Sequence, residues 1–471
     1  MGETVENFSE WYGNILERAE IYDLRYPIKG CGVYLPYGFK IRKYAFEIIR
    51  NMLDETGHDE ALFPMLIPED LLAKEGEHIK GFEDEVYWVT HGGKTPLDVK
   101  LALRPTSETP IYYMMKLWIK VHTDLPIKVY QVVNTFRYET KHTRPLIRLR
   151  EIMTFKEAHT AHATKEDAEN QVKEAINIYK NFFDELGIPT IISKRPEWDK
   201  FPGAEYTMAF DTIFPDGKTM QIGTVHNLGQ NFAKTFELEF ETADGGKDYA
   251  YQTCYGISDR VIASIIALHG DEKGLILPPN VAPIQIVIIP LLFKGKEEIA
   301  MNKAEEVYNT LKEKGFRVKL DDRDIRPGRK FNDWELKGAP IRIELGPRDI
   351  ENKKITLFRR DTGEKFQINE DDLLDGINNT MNSIMKTIKE KANERVNSFI
   401  TIMDNKNNKN NNDIEALIDN VKEILAEKKG VVLIPYDKNL YNEEFEESIE
   451  ASVLGITKCN GNEYIAVART Y

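Results

Sequence analysis

An α+β fold spread over several domains is what this sequence predicts, and three observations carry the prediction. Residues 134–162 read as two alternating strands joined by a basic loop, and 211–240 continue in strands and turns. After Pro278-Pro279 strands and helices alternate, the pattern of a small α/β unit on a mixed sheet. The segment DNKNNKNNND, Asp404 to Asp413, is of low complexity and sets off a last unit. The expected division is 1–279, 280–403 and 414–471, with 403–413 as linker.

Taken in order, residues from about Thr4 to Glu20 read as a surface helix. Arg42 to Thr56 is a second, with Ala45, Ile48, Ile49, Met52 and Leu53 at helical spacing and Gly57 as its stop. Glu60 to Pro64 reads as a strand. Lys165 to Leu186 is amphipathic and ends at Gly187, and turns fall at Asp216-Gly217 and Gly223. Ser258 is placed to cap a helix that runs to His269 and stops at Gly270. Pro283 to Pro290 is a β-branched run, followed by a helix over about Glu297 to Lys314 and two further strand–helix units to about Lys391.

Composition excludes several classes. The chain has 471 residues, 41% hydrophobic and 30% charged, with a formal net charge of −14. That balance argues against a protein that coats DNA or other nucleic acid non-specifically, while leaving room for local basic faces. Cys31, Cys254 and Cys459 are too few and too scattered for a disulfide framework, and a reducing cytoplasm is expected. The longest apolar run, around Ile284 to Phe293, is too short to span a bilayer, so no membrane role is expected.

The densest chemistry lies at Arg137-Tyr138-Glu139 and the return through Arg148 and Arg150. From Arg137 to Arg150 there are five Arg or Lys and one acid. If both flanks are strands, Arg137 and Glu139 share a face, as do Arg148 and Arg150. Guanidiniums held over one face suit a polyphosphate, because Arg grips phosphate oxygens bidentately.

The string FRYETKHTRPLIRLREIMTFKEAHTAHAT resembles the second signature motif of class II aminoacyl-tRNA synthetases, and most closely that of prolyl-tRNA synthetases of the archaeal and eukaryotic type. The resemblance runs from about Tyr12 to Arg359 and resumes at the C-terminus. It implies an antiparallel catalytic sheet flanked by helices, an anticodon-binding α/β domain and a C-terminal α+β domain. It also implies a homodimer whose interface includes the helix and strand ending at Pro64. The implied reaction consumes ATP, with Mg²⁺ on ligands the sequence does not reveal, joins L-proline to tRNA(Pro), and needs no enzyme nucleophile.

By the same resemblance, Arg137 holds the α-phosphate and the amino-acid carboxylate, Glu139 accepts from the adenine amino group, and Arg148 reaches the outer phosphates. Gly256-Ile257-Ser258-Asp259-Arg260 is similar to the third motif, with Arg260 at the γ-phosphate and Ser258 beside the nucleotide; many relatives have Glu where Asp259 stands. Arg137 and Arg260 are thus the expected catalytic pair. Thr106 and Glu108 match the loop that accepts the two N–H groups of a secondary ammonium. Thr106 and Thr109 also fit a capping box for a helix near Pro110, and both readings can hold together. Phe155 is expected against the pyrrolidine ring and His159 at the pocket border. Gln221 and Thr224 are expected at the nucleotide and His226 at proline. Cys254 either lines the same pocket or is a buried inert thiol.

Residues Arg317 to Arg348 hold nine Lys or Arg against six acids, and their sequence is similar to the family's anticodon-binding domain. That resemblance implies that Glu335 accepts from the Watson–Crick edge of a guanine and Arg342 donates to its O6 and N7. Relatives often carry four zinc-binding Cys in the C-terminal unit. Cys459 is alone here, so structural zinc is not expected. The terminal Ala468-Arg469-Thr470-Tyr471 matches the family's ending, whose last Tyr approaches the active site. Between Glu151 and Gly256, from the second motif to the third, the chain offers no separate editing domain, so detectable activation of alanine or cysteine is expected to go uncorrected. The rival readings are a threonine or serine enzyme of the same subclass, and a synthetase-like regulator without catalysis.

Overall fold

The computed structural model describes residues 7–75, 85–403 and 414–471. The expected linker at 404–413, and the first residues of the expected N-terminal helix, lie outside the described residues. Helix α1 (Phe8–Arg18) buries Phe8, Tyr12, Ile15 and Leu16, one apolar stripe at helical spacing. Helix α2 (Pro36–Glu55) starts six residues earlier than Arg42, because Pro36 sits in its first turn, where a fixed φ and a missing N–H cost nothing. The strand expected over 60–64 shrinks to β1 (Asp59–Glu60). The Ala61 N–H still donates to the Tyr130 carbonyl at 2.8 Å, and the Phe63 N–H then turns to a side chain, Gln131 Oε1, at 3.0 Å.

A long sheet organises the molecule. Its strands are β1, β2 (Ile127–Phe136), β3 (Glu151–His162), β4 (Ile191–Lys194), β5 (Tyr206–Ile213), β6 (Thr219–Gly229) and β7 (Tyr251–Ser258). From one edge the order is β1-β2-β3-β7-β6-β5-β4. All neighbours are antiparallel except β1 and β2. Helix α3 (Glu108–Trp118) leads into this sheet. Helix α4 (Lys165–Glu185), capped by the Thr164 side chain on Asp167 N, and α5 (Arg260–His269), buried from Val261 to His269, back it. The interval between β3 and β7 holds α4, three strands of the same sheet, a short helix and a two-stranded hairpin, and no separate domain.

The second unit is a five-stranded mixed sheet. It comprises β8 (Ile286–Pro290), β9 (Val318–Leu320), β10 (Ile341–Leu345), β11 (Lys354–Arg359) and β12 (Lys365–Asn369), in the order β9-β8-β10-β11-β12. Strand β8 is parallel to both neighbours and β10 to β12 are antiparallel. Helices α6 (Glu297–Glu313) and α7 (Pro327–Lys337) make the crossovers, and α8 (Leu373–Ser398) runs to the next unit.

The C-terminal segment continues the first sheet. Strands β13 (Ile400–Ile402), β14 (Val431–Pro435), β15 (Ser452–Cys459) and β16 (Asn462–Ala468) add in the order β13-β14-β16-β15 onto β4. The seam is one pairing, Ile456 with Lys194. Gly455 makes it possible: its φ is +120°, and a Cβ there would stand 2.1 Å from the Lys194 carbonyl oxygen. Helix α9 (Ile414–Glu427) covers this end through Leu417, Val421 and Leu425.

Candidate active site

Strands β6, β7 and β3 lie side by side and present their side chains in rows. His226 pairs with Cys254, and Cys254 with His159, so these three form one row across the sheet. The next row is Thr224, Gly256 and Glu157, with Gln131 beyond it on β2. Ser258 stands opposite Phe155 in the row after that. A cavity of about 540 Å³ opens over these rows. It is lined by Thr106, Glu108, Arg137, Glu139, Arg148, Phe155, His159, Gln221, Thr224, His226, Cys254, Ser258 and Arg260. Thirteen residues drawn from four separate stretches of sequence thus converge on one site.

One end of the cavity is cationic. Arg260 emerges from β7 into the first turn of α5, and its Nε and Nη1 donate to the carbonyls of Ile147 and Gln221, both at 3.0 Å. Burial, and then the neighbouring Arg137 and Arg148, pull its guanidinium down to about 10. Three guanidiniums close enough to repel one another make a site that an anion relieves. Arg137 follows β2, and its Nε donates to the Pro105 carbonyl at 3.2 Å. Its guanidinium lies 5.9 Å from the centre of the Phe155 ring. Arg148 Nε stands 3.8 Å from Glu139 Oε2.

The route to this cluster differs from the expected strand pair. Strand β2 ends at Phe136 and β3 begins at Glu151. Arg144 and Arg148 instead bridge across a tight turn, with Leu146 at φ +57°. Without strand alternation Arg148 and Arg150 diverge. Arg148 faces the cavity, while Arg150 stacks 4.2 Å from the centre of the Tyr138 ring.

The opposite end is built from carboxylates and imidazoles. Glu108 is the first residue of α3, and the Thr106 hydroxyl donates to its Oε2. The two meet across a loop-to-helix turn, not along a strand face, and no side chain caps α3, so the capping box does not form. Glu157 is buried and was not among the expected site residues, although it alternates with Phe155 and His159. Its carboxylate accepts from Ser107 N at 3.2 Å and Gln131 Nε2 at 2.9 Å, and pairs with His159 Nε2 at 3.2 Å. Against the cost of burial, these bonds hold Glu157 below the usual carboxylate range. Burial first, then the charge of Glu157, push Glu108 up. His159 Nδ1 meets the Tyr112 hydroxyl at 3.0 Å. His226 Nδ1 meets the Thr207 hydroxyl at 2.8 Å, and burial, then His159, lower it to about 3.

Other contributors were illegible in the sequence. Trp198 and Phe201 wall the cavity from the loop after β4, and Phe201 packs 4.7 Å from the His226 ring. Arg195 Nη2 donates to Asp211 Oδ1 at 2.8 Å and to Gln221 Oε1 at 2.9 Å, fixing Gln221 from behind. Ser258 is the last residue of β7 and not the N-cap, which is Asp259, but its hydroxyl accepts from the Arg260 N–H at 3.4 Å in the first turn of α5. Asp259 is buried and accepts from Thr154 N at 3.1 Å and the Tyr34 hydroxyl at 2.8 Å, which locks the third motif to β3.

Glu335 and Arg342 are not part of this cavity. Arg342, on β10, donates from Nη1 to Glu335 Oε1 at 2.9 Å and from Nε to Glu344 Oε1 at 3.1 Å. Its guanidinium lies 4.0 Å from the Phe331 ring and 3.9 Å from that of Phe358. As for metals, one group of three or more ligand-type side chains lies close together among the described residues, Glu108, His159 and Cys254. Among the described residues no comparable carboxylate set stands at the cationic end.

Comparisons with known proteins agree over the whole chain. Residues 87–269 match the tRNA synthetase class II core domain (G, H, P, S and T), 285–380 the anticodon binding domain, and 400–471 the prolyl-tRNA synthetase C-terminal family. The chain is 79% identical over 467 residues to a proline–tRNA ligase of Methanococcus aeolicus, covering 99% of this chain and 100% of that one. It is 76% identical to one from Methanocaldococcus jannaschii, covering 98% and 100%. The solved structure of Giardia lamblia prolyl-tRNA synthetase in complex with prolyl-adenylate superposes with a TM-score of 0.92 at 35% identity, covering 99% of this chain and 98% of that one.

Proposed function

The chain belongs to the proline–tRNA ligase family of class II aminoacyl-tRNA synthetases, and from that premise we propose how its residues divide the work. The reaction is ATP-dependent. The proline carboxylate attacks the α-phosphate of ATP, an O–P bond forms to the carboxylate, and the bond to pyrophosphate breaks. A ribose hydroxyl at the 3′ end of tRNA(Pro) then attacks the carbonyl of prolyl-adenylate and AMP leaves. Neither threonine or serine specificity nor a non-catalytic role is favoured.

The observation that carries the residue assignment is the polarity of one cavity, three guanidiniums at one end and a cluster of glutamates and histidines at the other. In our reading Arg137 neutralises the α-phosphate and the attacking carboxylate as charge shifts between them, and Arg260 and Arg148 hold the outer phosphates. Glu139 accepts from the adenine amino group, with Ser258, Thr224 and Gln221 along the nucleotide. Thr106 and Glu108 accept from the secondary ammonium. Phe155 covers the pyrrolidine ring, and His159, oriented by Glu157 and Tyr112, borders it with neutral His226 and Cys254. No side chain acts as nucleophile; catalysis is positioning and charge neutralisation. Mg²⁺ would arrive on the ATP phosphates, because the cationic end offers arginines and, among the described residues, no preassembled carboxylate set.

Glu335 and Arg342 would read a guanine of the anticodon by exchanging their mutual ion pair for the base edge. A homodimer fits the apolar surface around the segment that ends at Pro64, where Leu62 is 81% exposed beside exposed Met65, Leu66, Leu117 and Trp118. None of the described helices is long and apolar enough to cross a membrane, and a cytoplasmic enzyme fits three cysteines that form no disulfide. The test of specificity is ATP–pyrophosphate exchange with each standard amino acid. Proline should dominate, with weak activity for alanine or cysteine; a preference for threonine or serine would overturn the assignment.

A further inference from the structure

We infer that Glu108, His159 and Cys254 form a site for a zinc-type divalent cation that overlaps the amino-acid end of the cavity. The inference rests on our reading of that end as the proline pocket. The three side chains come from different elements, α3, β3 and β7, and each offers one ligand atom, all within 4.8 Å of one another. All three are buried, at 4%, 1% and 4% exposure. An oxygen, a nitrogen and a sulfur donor together match the preference of a borderline-soft ion. Donors about 2.0–2.3 Å from a tetrahedral ion stand roughly 3.3–3.8 Å apart, so small side-chain adjustments close the set.

The surroundings resemble the support that metal ligands normally have. The Thr106 hydroxyl already bonds Glu108. The His159 ring is held from both sides, by Tyr112 at Nδ1 and Glu157 at Nε2. One of these bonds yields to the ion and the other stays to orient the ring. Three protein ligands at a cavity wall leave a fourth position facing the open space, the arrangement of an accessible site and not of a closed structural one. Glu108 and Glu157 bring two buried carboxylates against the nearby guanidinium of Arg137, which leaves a need for a further cation. The proline ammonium meets it during catalysis, and a divalent ion meets it with two more donors. Ion and amino acid therefore exclude each other, and zinc acts as a brake on proline activation.

The test uses the full-length protein stripped of metal and titrated with Co²⁺, whose thiolate complexes absorb in the near ultraviolet. A thiolate-to-cobalt band should appear and saturate at one ion per chain. It should vanish in Cys254→Ser, persist in Cys31→Ser and Cys459→Ser, and be displaced from wild-type protein by proline. In ATP–pyrophosphate exchange, Zn²⁺ should raise the apparent KM for proline about 10-fold or more and leave kcat unchanged at saturating proline. Absence of the band, or its survival in Cys254→Ser, would overturn the metal site while exchange with proline still upholds the pocket. A band insensitive to proline would overturn the overlap and count against the placement of proline. Displacement by proline is measured on wild-type protein, so the conclusion does not depend on how well Cys254→Ser folds.

Discussion

Arg148 and Tyr471, 323 residues apart in the chain, meet at the rim of the cavity, where Nη2 of Arg148 donates to the main-chain oxygen of Tyr471 at 3.1 Å. The Tyr471 hydroxyl donates to Asp216 Oδ2 at 2.6 Å, and its ring lies under Arg144, whose guanidinium is 4.9 Å from the ring centre. The end of the chain therefore positions one of the three guanidiniums. Tyr471→Ala should loosen Arg148 and raise the KM for ATP about 10-fold, roughly 1.4 kcal/mol, with the KM for proline little changed. Steady-state exchange kinetics measure both; an unaltered KM for ATP would remove Tyr471 from the account.

Arg342→Ala and Glu335→Ala should each impair aminoacylation and spare ATP–pyrophosphate exchange, each lost base contact costing about 1–3 kcal/mol. The structure separates them in stability. Glu344 is 2% exposed and keeps only Lys365 when Arg342 is gone, whereas Glu335 sits at the edge of the cluster. Removing one partner of a buried pair costs about 3–5 kcal/mol, so Arg342→Ala should lower Tm more than Glu335→Ala. Equal loss of exchange and charging would contradict the separation of sites.

His269 is buried, its Nε2 meets the Leu186 carbonyl at 2.9 Å, and burial lowers its pKa to about 4. Its unfolded counterpart titrates near 6.5. Between those values the unfolded chain binds the extra proton, so stability is full above about pH 6.5 and falls as pH drops towards 4. Each such histidine contributes up to about 1.4 kcal/mol per pH unit in that window. His58 and His226, lowered to about 4 and about 3, act in the same direction. In denaturant titrations between pH 4 and 7, His269→Asn should flatten the slope. A slope identical to wild type would mean that His269 is protonated in the folded protein.

The C-terminal unit packs around Leu417, Val421, Leu425, Val432, Ile434 and Val467, and Cys459 is half-buried at the start of the β15–β16 turn. Cys459→Ser should therefore leave Tm unchanged, with or without chelator. A drop of several degrees that appears only in the absence of chelator would reveal a metal at that thiol.

Both arginine motifs and the Thr106–Glu108 loop were legible because their residue types and spacing survive as strings. The mixed sheet of the second unit was legible because β-branched runs and amphipathic helices alternate there. What was hidden is non-local. Nothing around Lys194 or Gly455 announces that the C-terminal strands would continue the first sheet, since that seam depends on one glycine meeting a distant carbonyl. Arg195 reads as a surface residue until its partners, Asp211, Gln221 and Leu454, are brought up by three different strands. The strand assumed through Arg148 failed because a tight turn closed by the Arg144–Arg148 bridge replaces it, a geometry that side-chain alternation cannot signal.

We propose that Arg137 supplies the charge that makes adenylate formation possible. The most direct measurement is ATP–pyrophosphate exchange by Arg137→Ala, with Tm and tRNA binding measured on the same preparation. Loss of one preorganised charge contact at a transition state costs roughly 100- to 1,000-fold, and exchange should fall by that much while Tm and tRNA affinity stay near wild type. Exchange within about threefold of wild type, under 1 kcal/mol, would contradict the account.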